Sequence, residues 1–148
     1  MYEKFSPRVD KVIQLARAAA READQEYLGT EHVLIAIVQE GTGIGAKLLN
    51  KHGIDEYRLK AEIEKLVKKS MEDTWVFGKL PGSPYLKSTV AAAVGLARQL
   101  DSKTVCTEHL VLAMLREKGS VAEQALRSLN LTFDPAHADV LELAAPQK

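Results

Sequence analysis

Apolar residues recur along most of the chain at three- and four-residue intervals, the spacing that lines one face of a helix. Val9, Val12, Ile13, Ala16 and Ala20 form the first such stripe. Ser6 and Pro7 stand just ahead of it, the hydroxyl suited to an N-cap and the proline to the first helical position, where a missing N–H costs nothing. Val33, Leu34, Ile37 and Val38 mark a second helix with Thr30 as its expected cap. A third helix is expected to end at Gly53, where a left-handed residue would stop it. Asp55 then opens a fourth, striped by Leu59, Ile63, Leu66 and Val67.

The same series of signals runs a second time. Ser6-Pro7 recurs as Ser83-Pro84 and Thr30-Glu31-His32 as Thr107-Glu108-His109, both 77 positions on, so no gap separates the markers. That offset also superposes Ala16 on Ala93, Ala36 on Ala113, Glu40 on Glu117 and Leu49 on Leu126. In the second copy, Leu110, Val111, Met114 and Leu115 stripe a helix capped by Thr107. Ser120 with Glu123 forms a capping box, Asn130 stands where a left-handed stop is needed, and Asp134-Pro135 opens the last helix. The prediction is an all-α fold of eight helices in two pseudo-twofold-related four-helix repeats. One domain is expected over 1–148, with repeat one at 1–69, a connector at 70–82 and repeat two at 83–148. Trp75 and Phe77 make that connector apolar and are expected to pack across the halves, since a flexible spacer would be rich in glycine and serine.

Composition narrows the functional classes. With 148 residues and 46% hydrophobic content, the chain can bury a sizeable core. Its 20 basic and 20 acidic residues, without a block of like charges, argue against a broad electrostatic grip on nucleic acid or an anionic membrane. Lys65, Lys68 and Lys69 read as the solvated end of a helix. A single cysteine, Cys106, and an N-terminus without an apolar stretch point to the reducing cytoplasm, and no apolar run is long enough to span a bilayer.

Several segments imitate chemistry. His32 to Val38 followed by Gly41-Thr42-Gly43-Ile44-Gly45-Ala46-Lys47 has the order of a strand, a glycine turn and a helix, as a dinucleotide site would. The second copy keeps the apolar helix yet carries Lys118, Ser120 and Glu123 in that turn, so the glycines read as a tight connection between helices. No phosphate loop is present, because Gly78-Lys79 is followed by Leu80. His32 and His109 have no second histidine or cysteine at ligand spacing and read as structural histidines. Cys106, whose counterpart is Gly29, reads as a small buried filler. No catalytic residue, cofactor or metal is expected. Glu31 and Glu108 remain, each in a first helical turn, where a carboxylate favours the dipole by about 0.3–1 kcal/mol.

Phe5-Ser6-Pro7-Arg8 with Val12, Ile13 and Ala16, then Tyr27-Leu28-Gly29-Thr30-Glu31-His32-Val33-Leu34 and Gly41-Thr42-Gly43, resemble the first repeat of a known family. Thr107-Glu108-His109-Leu110-Val111-Leu112 resembles the second. The family is the double-Clp N-terminal domains of Clp/Hsp100 AAA+ unfoldases, most closely those of ClpC, and the resemblance covers nearly the whole chain. It implies a non-catalytic module that receives protein substrates and adaptor proteins for an ATP-driven unfoldase feeding a protease. It further implies a ligand-binding site for phosphoarginine at Thr30, Glu31, Thr107 and Glu108, because in ClpC-type domains the glutamate of each triplet takes part in recognising that mark. Cys106-Thr107 and Lys118-Gly119-Ser120 depart from the usual repeat and weaken the second site relative to the first. Two other readings stand beside it: a stand-alone accessory subunit docking on a Clp protease or unfoldase core, and a nucleotide-binding enzyme built on Gly41 to Lys47.

Overall fold

The computed structural model of the chain describes residues 4–22, 28–74 and 83–143. Ser6 Oγ accepts from the Val9 N–H at 3.2 Å, and helix α1 (Pro7–Glu22) starts at its proline, as the cap predicts. Repeat one continues with α2 (Thr30–Glu40), α3 (Ile44–Lys51) and α4 (Glu56–Thr74). Repeat two supplies α5 (Ser83–Gln99), α6 (Thr107–Arg116), α7 (Val121–Ser128) and α8 (Phe133–Leu143). Eight helices thus stand among the described residues, and the all-α expectation holds. Two short strands, β1 (Lys4–Phe5) and β2 (Thr104–Val105), pair in parallel and tie the entrance of α1 to the entrance of α6.

Helix ends follow local chemistry closely. Gly53 and Asn130 adopt positive φ angles of 73° and 68°. Beyond them the Ile54 N–H donates to the Leu49 carbonyl and the Leu131 N–H to the Leu126 carbonyl, each at 2.9 Å, which closes α3 and α7 in the same way. Asp55 Oδ1 accepts from the Arg58 N–H at 2.8 Å and caps α4. One expected start moves: α8 begins at Phe133 rather than at Asp134-Pro135. Thr132, the counterpart of Asp55, flanks it, and Pro135 falls within the first turn, where a helix has no partner for its N–H groups. Helix α4 continues through Thr74, into the first residues of the expected connector. Trp75, Phe77 and the Gly78-Lys79-Leu80 stretch lie outside the described residues.

Packing interlocks the repeats. Helix α1 lies on α2 and α5 on α6, while each short third helix crosses over: α3 packs on α6 and α8, and α7 on α2 and α4. Every residue of α6 from Thr107 to Leu115 is buried, so this helix is central rather than amphipathic. A single apolar core runs from Val9 in α1 to Val140 in α8. Leu48, Leu49, Leu112 and Leu126 have no exposed surface in it, worth about 1.5–3 kcal/mol each in removal from water. Among the described residues no helix is long and apolar enough to cross a membrane.

The rim of the α3–α8 contact carries an ion cluster. Lys51 Nζ lies 2.8 Å from Asp139 Oδ1 and His52 Nε2 lies 2.6 Å from Asp139 Oδ2. The hydrogen bond from Lys51, then that from His52, holds the Asp139 carboxyl below its ordinary range. A depressed carboxylate stabilises the fold above its unfolded pKa of about 3.9 and loses that contribution as the pH falls through its folded value. Asp139→Asn is therefore expected to lower the urea midpoint at pH about 7, and the difference from wild type should close near pH about 2.

Candidate functional site

The two Thr-Glu-His triplets open α2 and α6, and each histidine rather than each threonine completes the cap. Gly29 and Cys106, both extended, are the flanking residues. His32 Nδ1 accepts from the Gly29 N–H at 2.9 Å and His109 Nδ1 from the Cys106 N–H at 2.8 Å. Each ring takes the part that glutamate or glutamine plays at the third position of a capping box. Burial lowers the pKa of both, opposed at His32 by the Glu31 charge, so both rings are neutral with the proton on Nε2.

The expectation that Thr30 and Thr107 cap their own helices is corrected. Each lies inside its helix, not ahead of it, and its hydroxyl reaches the opposite repeat. Thr107 Oγ1 accepts from the Gly45 N–H at the start of α3 at 3.0 Å, and Thr30 Oγ1 accepts from the Ala122 N–H at the start of α7 at 3.3 Å. Gly45 and Ala122 are themselves offset counterparts, so the two bonds form a reciprocal pair. These contacts also explain the glycine turn. A Cβ at Gly43 would overlap Thr107 Oγ1 and stand 2.8 Å from Arg8 Cδ, and one at Gly45 would stand 3.0 Å from the Thr107 backbone. The space a nucleotide would need is filled by α6, and the preceding His32–Val38 segment is helix rather than strand.

Glu31 and Glu108 are buried, with 3% and 7% of their surface exposed. Desolvation raises the pKa of Glu108, while its own backbone N–H and the positive charge of Arg8 act in the opposite direction. Arg8 comes from the other repeat and is anchored by a bond of 2.9 Å from Nε to Thr42 Oγ1. Thr107 and Glu108 are thus joined by Arg8, Gly43 and Gly45 at one junction, and Thr30 and Glu31 by Ala122 at the equivalent one. Arg8 was missed in the sequence because nothing local sets a helix-start arginine beside an acid a hundred positions away.

Cys106, Glu108 and His109 bring potential ligand atoms within 4.8 Å of one another. They do not fit a metal, because His109 Nδ1 is spent on the Cys106 N–H and Nε2 then carries the proton. Cys106 is half-buried, with Sγ 3.4 Å from Thr104 Oγ1, and not the buried filler expected. The Ser120 capping box is also half as drawn: Ser120 Oγ accepts from the Glu123 N–H at 3.0 Å, but the Glu123 carboxylate reaches the Gly119 N–H, at 3.1 Å.

Two interlocked helical repeats, each reading the other through a threonine at a helix start, define an all-α tandem-repeat domain. The chain matches the Clp repeat (R) N-terminal domain family over residues 4–142 and belongs to it. It is 36% identical over 137 residues to the chloroplastic chaperone protein ClpC2 of Oryza sativa subsp. japonica, covering 93% of this chain and 14% of that protein. It is 32% identical over 143 residues to the negative regulator of genetic competence ClpC/MecB of Bacillus subtilis (strain 168), covering 97% of this chain and 17% of that protein. The chain therefore spans a small fraction of those relatives' length. In fold it is similar to the N-terminal domain of the caseinolytic protease associated chaperone ClpD from Arabidopsis thaliana, with a TM-score of 0.72 at 18% identity, covering 97% of this chain and 96% of that one. The Hsp104 N-terminal domain from Candida albicans gives 0.67 at 17%, covering 99% and 95%.

Proposed function

We propose that this chain is the substrate- and adaptor-recognition module of a cytoplasmic Clp unfoldase–protease system, non-catalytic and acting as one domain. Its partners would be protein substrates, adaptor proteins and Clp unfoldase or protease subunits. It recognises phosphoarginine-marked proteins, with Glu31 as the leading contact and Glu108 as the weaker one. The observation that carries this reading is the burial of both carboxylates at equivalent helix starts. A glutamate serving only the helix dipole does that work in water, and removing it from water is unfavourable unless a partner returns the loss. A ligand bearing both a phosphate and a guanidinium suits the combination, the phosphate on helix-start amides and the guanidinium on the carboxylate. The asymmetry follows from the departures of repeat two, where Cys106-Thr107 and Lys118-Gly119-Ser120 stand in place of Gly29-Thr30 and Gly41-Thr42-Gly43.

Calorimetric titration of phosphoarginine tests it. Glu31→Ala is expected to weaken binding by about 1.5–3 kcal/mol, roughly tenfold or more, and Glu108→Ala by less. Absence of heat from wild type at millimolar ligand, or two variants that bind like wild type, would return these acids to a stabilising role.

A further inference from the structure

Repeat two holds a cavity of about 240 Å³ between the end of α6 and the start of α8. Leu115 and Leu131, both buried, are among its lining residues. Phe133 lines it as well and stacks on His137, with ring centroids 5.4 Å apart. Arg116, Lys118 and Arg127 also line it. Their counterparts in repeat one are Gln39, Gly41 and Asn50, all uncharged, so the fold does not demand this basic character. Arg116 lies in the last turn of α6, where a cation suits the dipole, but Lys118 lies past that helix and Arg127 belongs to α7. Glu123 offsets one of the three charges, its Oε2 standing 3.3 Å from Arg127 Nε. The exposed side chains of Arg116 and Lys118 are left in excess beside the apolar part of its lining.

We propose that this cavity captures the C-terminal residue of a polypeptide, its apolar side chain on Leu115, Leu131 and Phe133 and its α-carboxylate between Arg116 and Lys118. The volume falls below the roughly 300–1,000 Å³ of small-molecule sites, so it suits a single side chain rather than a nucleotide. A free inorganic anion would leave the apolar lining residues uncovered. A C-terminal residue supplies the apolar group and the carboxylate from one position, and carboxylates gain most from paired cationic donors. The proposal rests on the chain being a receiver of protein partners, yet it uses neither Glu31 nor Glu108.

Fluorescence anisotropy on the whole chain tests it with a fluorescein-labelled decapeptide ending in leucine with a free carboxylate. The same peptide is also used amidated, and with serine as its last residue. Amidation, the serine ending and the R116Q/K118Q double variant are each expected to weaken binding, the two charge changes roughly tenfold or more. Both substituted side chains are exposed, and an unchanged thermal midpoint verifies the variant's fold. Equal binding of acid and amide overturns the proposal, as does a double variant that binds like wild type or the absence of binding at millimolar peptide. Equal binding of the serine peptide would reduce the cavity to a general anion site and equally overturn it. Phosphoarginine titration of R116Q/K118Q should match wild type, so failure here and failure at Glu31 are read separately.

Discussion

Gly45→Val is expected to destabilise the chain by about 2–5 kcal/mol, a large part of the margin of a domain this size. The first carbon added at residue 45 would already stand 3.0 Å from Cβ, C and O of Thr107, at the start of the buried helix α6. Neither side can retreat easily, because the Gly45 N–H is bonded to Thr107 Oγ1 and both groups are buried. Pushing α3 away would leave that N–H without an acceptor, adding a desolvation cost to the overpacking. Gly45→Ala should cost less, about 1–3 kcal/mol. Repeat two tolerates a methyl at the same place, Ala122, where the bond to Thr30 is longer at 3.3 Å, so Ala122→Gly should lose only about 1 kcal/mol of helix preference. Urea denaturation of the three variants measures this. An unchanged midpoint for Gly45→Val would mean that the contact with Thr107 is not tight, and the glycine would need another explanation.

What could be read from the sequence was whatever neighbours within a few positions decide. Ser6, Asp55, Gly53 and Asn130 act on their own helix ends, and all four sit where the pattern put them. The 77-residue offset carried the repeat architecture and, with the resemblance, the family. The site was harder, because its bonds join residues 62 and 92 positions apart and the hydroxyl of Thr30 or Thr107 gives no local sign of which helix it caps. The sequence presents Gly43 and Gly45 as a tight connection between helices; Gly43 has φ of −83°, and the requirement at both is for room against Thr107. Gly41 alone in that segment needs the left-handed region, at φ 76°. The polar triplets give no sign of burial, yet α6 is buried from its first residue, with α3 packed across it. His32 and His109 were recognised as structural, but not as the third member of a capping box, a position the usual pattern assigns to glutamate or glutamine.

Those two histidines give the chain its expected acid sensitivity. As the pH falls below about 6.5, stability should decline by up to about 1.4 kcal/mol per pH unit for each buried imidazole. Nδ1 of each ring must stay an acceptor for a backbone N–H, and burial disfavours the charged form, so the folded pKa of both is lowered. The unfolded chain, with histidines near pH about 6.5, binds more protons in the window below that value. Stability from these groups is therefore complete above about 6.5 and is lost as the pH falls toward the folded values. Glu108 runs the other way: its raised pKa makes the folded chain take up that proton first, so its contribution is present at low pH and lost as the pH rises, which flattens the acid end of the curve. His32→Gln with His109→Gln keeps a side-chain acceptor at the third position but removes the titration. His52 and His137 remain in both proteins, so the difference between two urea-midpoint curves isolates residues 32 and 109. The wild-type midpoint should drop below neutrality while that of the double variant stays nearly level. Parallel curves would show that protonation of these rings is tolerated in the fold and that the backbone N–H groups of Gly29 and Cys106 find another acceptor.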